Sequence, residues 1–122
     1  MSTKKISTDD KVRFGEGTRS VMAERFDLIP PEGMKALAMR FALGAEAHGE
    51  GNWKHGDKEF VKSIFNHLYG HIADELSNEP EEDTRANAGA IMWAGAAIAW
   101  YAANEPEIYC QAVNELFNGV VE

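Results

Sequence analysis

The segment N-H-L-Y-G-H-I-A-D-E-L-S-N, from Asn66 to Asn78, carries two periodic patterns that together predict a helix. Residues three and four apart stack on the same helical face. One face carries the polar residues His67, His71, Asp74, Glu75 and Asn78. The neighbouring face carries the apolar residues Phe60, Ile64, Leu68 and Ile72. Helical bundles build metal and polar ligand sites from such helices, although a solvated face with a weak His71–Glu75 pair would give the same pattern.

Helical signals continue on the N-terminal side of this segment. Pro31 suits the first position of a helix, and apolar residues then repeat with helical period until Gly49 and Gly51 end the pattern. A glycine-rich loop, G-E-G-N-W-K-H-G, follows at 49–56. Asp57 is a suitable N-cap for the second helix, which is expected to run to about Ser77.

Two more helices are predicted on the C-terminal side, one from about Glu81 to Ala103 and one from Pro106 to Gly119. No segment alternates with period two over a useful length, so a sheet is not expected. The sequence therefore predicts one all-α domain, 1–122, with about four helices in a bundle (31–122) preceded by an extended N-terminal arm (1–30).

Composition narrows the classes of partner. The net charge of −8 argues against binding to a nucleic-acid backbone, which requires a basic surface. The longest apolar run, 88–103, is too short and too rich in alanine to span a membrane. The single Cys110 cannot form an internal disulfide, which favours the cytoplasm. The alanine-rich third helix is expected at the bundle centre or in the interface of a homodimer or higher homo-oligomer.

The ends of the second and third helices are expected to meet, because short connections make consecutive helices antiparallel neighbours. Carboxylates brought together there repel one another unless a cation is present. Oxygen ligands suit Mg²⁺ or Mn²⁺, and an imidazole also admits Mn²⁺ or another transition metal. The candidate metal ligands are His67, His71, Asp74, Glu75 and Asp83. For Asp83 the alternative is stabilisation of the helix N-terminus.

Other candidates lie near the glycine-rich loop and in the arm. Trp53 either stacks on a base as a lid or closes the bundle as a packed side chain. Lys54, Arg25 and Arg40 are candidates for phosphate contacts. Asn87, four residues after Asp83, either ligates weakly, orients a catalytic base, or is an ordinary helical residue.

Three strings, R-F-D-L-I-P (Arg25 to Pro30), G-A-E-A-H-G-E-G-N-W (Gly44 to Trp53) and N-H-L-Y-G-H (Asn66 to His71), resemble the phage dATP/dGTP diphosphohydrolase N-terminal domain family, which is similar to the all-α, MazG-like nucleotide pyrophosphohydrolases. The resemblance implies metal-dependent cleavage of a (deoxy)nucleoside triphosphate to monophosphate and pyrophosphate. The matching positions are Arg25, Asp27, Gly44, Asn52, Trp53, His67 and Glu75. The chain departs from the family where Ala47 and His48 replace a Lys-Tyr pair and where Asn87 and Ala90 replace two histidines.

Three functions follow as hypotheses. The first is a pyrophosphohydrolase in which Glu75 and Asp83 hold Mg²⁺ or Mn²⁺. The second is a nucleotide-binding or signal-sequestering protein of phage origin, acting in the host cytoplasm without turnover. The third is a helical adaptor that makes protein contacts only. In the first two, the expected nucleotide-binding residues are Arg25, Asp27, Asn52, Trp53, Lys54 and Asn87.

Overall fold

A computed structural model describes residues 11–20, 23–77 and 84–118 of the chain. The backbone divides into two compact units, Met1–Pro30 and Pro31–Glu122. Among the residues that the structure describes, the second unit contains four α-helices, so the predicted all-α bundle is confirmed. None of the helices in the described residues combines the length and the apolarity that a membrane crossing requires.

The first unit contains a small hairpin that the sequence patterns did not reveal. Strand β1 (Lys11–Phe14) pairs antiparallel with β2 (Gly17–Ser20), with Phe14 opposite Gly17. Gly15, the first of the two loop residues, has a φ of 60°, as two-residue hairpin loops require at that position. The expectation of no sheet is wrong here. The residues of β1, K-V-R-F, do alternate between polar and apolar, but this run is only four residues long and β2 has no such pattern.

Local signals set the bounds of the first two helices. Helix α1 (Pro31–His48) begins at the predicted proline and is followed by Gly49, whose φ is 97°. A short 3-10 helix (Asn52–His55) interrupts the glycine-rich loop. Helix α2 (Lys58–Leu76) follows, and its N-cap carboxylate at Asp57 accepts a hydrogen bond from the backbone N–H of Phe60 at 3.0 Å.

The C-terminal half begins with helix α3 (Thr84–Asn104), which continues through a one-residue break into helix α4 (Pro106–Val113). A π-helical turn, Asn114–Asn118, extends α4. The predicted helix start at Glu81 and the predicted end at Gly119 lie outside the described residues.

Helix α3 is the centre of the bundle and contacts α1, α2 and α4. Ala90, Ala94 and Ala97 are all buried, which confirms the prediction that this alanine stripe lies at the bundle centre. At Gly89 the backbones of α1 and α3 come so close that an added Cβ would lie 2.5 Å from the carbonyl oxygen of Ala36. The homodimer remains a prediction.

Candidate functional site

A cavity of about 670 Å³ opens between the C-terminal half of α1, the glycine-rich loop and the N-terminal half of α2. Its polar lining residues are Arg40, His48, Glu50, Asn52, Ser63 and His67. Its large apolar lining residues are Phe41, Leu43, Trp53, Phe60, Ile64 and Trp93. Ligand-binding pockets combine these two properties, a mostly apolar wall and a few polar groups that fix orientation.

Three aromatic rings form one wall of the cavity. The centroid of Trp53 lies 6.1 Å from that of Phe41 and 6.0 Å from that of Trp93, and Phe41 and Trp93 are 6.4 Å apart. The rings meet at tilted or edge-on angles, the arrangements that aromatic pairs favour. Trp53 is half-buried: it packs against the core cluster and also lines the cavity. Trp53 is therefore a packed side chain that also faces the cavity, and its stacking on a base stays a prediction.

The backbone of the 3-10 helix is fastened to α3 by Tyr101. The hydroxyl of this fully buried tyrosine donates to the carbonyl oxygen of Trp53 at 2.5 Å and accepts from the N–H of Gly56 at 2.8 Å. Burial raises the pKa of the Tyr101 hydroxyl, so it stays protonated and can donate. Tyr101 thereby holds the segment that carries Asn52 and Trp53 at two backbone atoms, the carbonyl oxygen of Trp53 and the N–H of Gly56.

The polar groups of the cavity suit an anionic ligand. Arg40 supplies a guanidinium, and His48 and His67 add two imidazoles, against the single carboxylate of Glu50. Guanidinium groups bind phosphate and carboxylate in bidentate geometry. Within the described ranges, no side-chain hydrogen bond joins Arg40, Asn52 or His67 to another residue. These groups are therefore available to a ligand.

A second polar cluster joins α2 to α3 and is organised differently. Asn87 is fully buried at the junction. Its Nδ2 donates to Oε1 of Glu75 at 2.8 Å, and its Oδ1 lies 2.9 Å from Nδ1 of His71. Oε2 of Glu75 accepts a longer bond, 3.3 Å, from the hydroxyl of Thr84 at the start of α3. We call these four residues the α2–α3 junction.

The chemistry of the groups fixes the donors in this junction. An ionised carboxylate only accepts hydrogen bonds, so Asn87 must present its NH₂ group to Glu75 and its oxygen to His71. The Nδ1 atom of His71 must then carry a proton in order to donate to that oxygen. The predicted convergence of the second and third helices is present in this form, through His71, Glu75 and Asn87.

Two of the remaining predicted metal ligands, His67 and Asp74, are not bonded to Asn87 in the α2–α3 junction. His67 and Asp74 line a shallow groove of about 520 Å³ along α2, together with His71, and Asp83 lies outside the described residues. In the part of the chain that the structure describes, no three side chains of His, Cys, Asp or Glu are placed to hold a metal ion. Since one oxygen of Glu75 already accepts from an amide, the described residues do not form a metal site as they stand.

The predicted phosphate contacts of the loop and arm have partners of their own. Nζ of Lys54 lies 5.6 Å from the ring centroids of both Trp53 and Trp100. In the first unit, the guanidinium of Arg25 makes a bidentate pair with the exposed carboxylate of Asp27, at 2.8 and 2.7 Å. This pair lowers the pKa of Asp27 and raises that of Arg25.

The site predicted from the sequence lacked part of the cavity wall. Phe41, His48 and Ser63 line the cavity but were not candidates. Phe41 belongs to the apolar helical repeat that ends at Gly49, and such a repeat does not distinguish a core position from a cavity wall. His48 had a usable signal, since it is the last residue of α1 beside a glycine-rich loop that carries a tryptophan.

Comparison with curated proteins and with solved structures gave no match. Residues 15–110, well over half of the chain, match the family described as dATP/dGTP diphosphohydrolase, N-terminal. The matched range includes α1, the 3-10 helix, α2 and α3, and therefore the whole cavity and the α2–α3 junction. This confirms the resemblance seen in the three sequence strings, and the chain belongs to the dATP/dGTP diphosphohydrolase N-terminal family.

Proposed function

We propose that this chain binds a (deoxy)nucleoside triphosphate, with a purine as its base, in the cavity between α1 and α2. The observation that carries the proposal is the lining of that cavity, which has an aromatic wall of three rings and a cationic group at Arg40. The family description, which names dATP and dGTP, supports a purine nucleotide as the ligand.

The shape and chemistry of the cavity fit the two parts of a nucleotide. A volume of about 670 Å³ is within the range of small-molecule pockets, roughly 300 to 1,000 Å³. A base would lie against Trp53 or Phe41, because every base has a flat face that stacks on aromatic rings. The phosphates would contact Arg40, with His48 and His67 as further donors.

Calorimetric titration with dATP, dGTP and the corresponding ribonucleotides tests this binding. We expect Arg40→Gln to weaken affinity by about 10- to 100-fold, since a hydrogen bond to a charged group contributes roughly 1.5 to 3 kcal/mol. The matched control is Lys35→Gln, an exposed position on α1 that does not line the cavity. Equal losses in both variants would mean that only the overall charge matters and would contradict the cavity as the site.

Hydrolysis of the bound nucleotide to monophosphate and pyrophosphate is the second candidate function, and membership of a diphosphohydrolase family favours it. Mg²⁺ or Mn²⁺ would be required, and Glu75 and Asp83 are the carboxylates proposed to hold it. Purified protein incubated with each nucleotide and either metal should then release both products. A lack of products from every nucleotide would exclude this candidate.

Binding without turnover is favoured by the hydrogen bond from Asn87 to Glu75, because it engages the carboxylate that catalysis would need. Nucleotide recovered intact after tight, chelator-resistant binding would support this function. The protein would then act by sequestering the nucleotide. The adaptor hypothesis predicts instead no stabilisation by any nucleotide, whereas a ligand at 100 times its Kd should stabilise the fold by about 2.7 kcal/mol.

A further inference from the structure

We propose that the amide group of Asn87 takes the place of a cation between α2 and α3, so that the α2–α3 junction holds Glu75 and His71 together without a bound metal. Asn87 is then a positioning residue. The inference concerns the junction alone and does not depend on nucleotide binding in the cavity.

The position of the amide supports the proposal. A cation between a carboxylate and an imidazole would have to contact an oxygen of Glu75 and a nitrogen of His71. Asn87 contacts both, at 2.8 Å and 2.9 Å, from a fully buried position. An amide satisfies both groups without a cation, because its NH₂ donates to the carboxylate and its oxygen accepts from the imidazole N–H, whose nitrogen could bind a metal only after losing that proton.

The Glu75 carboxylate also has hydrogen-bond donors on the neighbouring helix. It accepts from the Thr84 hydroxyl and from the Asn87 amide, both on α3. The carboxylate therefore has partners that a metal would otherwise provide.

The same bond fixes the chemical state of His71. Its Nδ1 must donate to the amide oxygen of Asn87, so a neutral imidazole is held as the Nδ1–H tautomer. In metal sites a carboxylate or a carbonyl oxygen often orients a ligating histidine in this way. Here the amide orients the histidine while the same residue satisfies Glu75.

Thermal unfolding of the full chain, without nucleotide and in either chelator or Mn²⁺, provides the first test. We expect the wild-type Tm to be the same in both. Asn87→Asp should have a low Tm in chelator, because two carboxylates then face each other. Mn²⁺ should raise it by roughly 10 °C at saturating concentration, because a second carboxylate beside Glu75 and His71 gives three ligands. Asn87→Ala, the matched control, should lower Tm without any response to Mn²⁺.

Nitrogen-15 NMR of the imidazoles, recorded near pH 8 where free histidine is neutral, is the second test. We expect the Nδ1–H tautomer for His71 in the wild type and loss of this preference in Asn87→Ala. An Nε2–H tautomer in the wild type would contradict the proposed bond. This measurement needs only the wild type, so it decides the question even where Asn87→Asp does not fold.

Two other results would overturn the proposal. One is a wild-type Tm raised by Mn²⁺ or Mg²⁺ together with loss of that rise in Glu75→Gln, which would make the junction a metal site. The other is an Asn87→Asp variant that folds but gains nothing from Mn²⁺, which would show that the amide does not occupy the position of a cation.

Discussion

The cavity and the α2–α3 junction share helix α2, but they differ in how their polar groups are used. At the junction, both ends of the Asn87 amide are hydrogen-bonded, at 2.8 and 2.9 Å, and the residue is fully buried. In the cavity, Arg40 and Asn52 line an open volume and have no side-chain partner in the described ranges. Arg40 is half-buried and Asn52 is exposed, so both polar groups are accessible to a ligand in the cavity.

The sequence suggested a single site, whereas the structure has two separate regions, the α2–α3 junction and the cavity. The polar stripe of α2 was expected to form the site and the loop to cover it. In the structure, the polar stripe of α2 is hydrogen-bonded to Asn87 of α3. The loop and α1 together form the wall of a separate cavity. Only His67 borders both the cavity and the shallow groove along α2. Variants that change one region and not the other therefore test the comparison.

The largest effect is expected from Tyr101→Phe, which removes the fastening of the cavity wall. The carbonyl of Trp53 and the N–H of Gly56 would each lose a buried partner, at roughly 1 to 3 kcal/mol apiece. We expect the free energy of unfolding, measured in urea, to fall by about 2 to 4 kcal/mol. Nucleotide affinity should fall as well, while the tautomer of His71 stays unchanged. A changed tautomer would mean that the two regions are coupled.

The pH dependence of stability provides a second measurement on the same residue. Burial raises the pKa of Tyr101 in the folded protein, so the unfolded chain loses this proton first as the pH rises. The stability linked to this group is fully present below about pH 10, the pKa of an unfolded tyrosine, and is lost as the pH rises through the folded value. Tyr101→Phe should lack this part of the alkaline decline.

A smaller effect is expected from Gly89→Ala, which changes the spacing between α1 and α3. The added Cβ would lie 2.5 Å from a backbone oxygen of Ala36, and backbone atoms cannot rotate away. Overpacking of this kind costs about 1 to 3 kcal/mol. Because α1 carries Arg40 and Phe41, we also expect weaker nucleotide binding, measured by calorimetry.

Gly95→Ala on the same helix is the matched control. This glycine is exposed, and an added Cβ would meet nothing within 4 Å. Alanine should therefore stabilise α3 by up to about 1 kcal/mol through its higher helix propensity. Equal destabilisation by both substitutions would contradict the close contact at Gly89.

The Lys54→Met variant tests whether the lysine belongs to the cavity or to the protein surface. Its ammonium lies 5.6 Å from the centroids of Trp53 and Trp100, and such cation–π contacts at exposed sites contribute about 0.5 to 1 kcal/mol. If the cation–π contact is the whole role of Lys54, the variant should lose this amount of unfolding free energy. Its Kd for nucleotide should then equal that of the wild type. A Kd raised tenfold or more would instead support the phosphate contact that the sequence predicts for Lys54.

The smallest effect is expected at the ion cluster that ties the π-helical turn to α2. Glu115 accepts from Lys58 at 2.6 Å and from Lys62 at 2.9 Å, and these bonds lower its pKa. The stability that it contributes is present above the pKa of an unfolded glutamate, about 4.3, and is lost as the pH falls through the lower folded value. The Tm of the wild type should therefore exceed that of Glu115→Gln at pH 7, and the two values should become equal in acid. Nucleotide binding should be the same in both proteins.

The parts of the fold that depend on local chemistry could be predicted from the sequence. Asp57 caps α2 and Pro31 starts α1 as expected, because capping and the fixed φ of proline act within one turn. That the end of α2 which carries His71 and Glu75 lies beside the first turns of α3 also followed from periodicity and a short connection. The buried alanine stripe of α3 followed from its composition.

Features that depend on contacts between distant residues could not be predicted. The cavity exists because Gly89 lets α1 approach α3 and because Tyr101, 45 residues beyond Gly56, fastens the loop. The hydrogen bond from Asn87 to Glu75 was missed for a related reason. Nothing in the spacing distinguishes two groups that share a cation from two groups that bond each other directly.

The fastening of the 3-10 helix has a consequence for how this protein can change during evolution. Tyr101 holds backbone atoms of Trp53 and Gly56, and its hydroxyl bonds no side chain of the segment. The exposed side chains at Asn52, Lys54 and His55 can therefore be exchanged while the segment keeps its shape. A lineage that carries this tyrosine can therefore exchange the cavity-lining side chain at Asn52, or the exposed side chains at Lys54 and His55, without first having to rebuild the backbone segment that presents them.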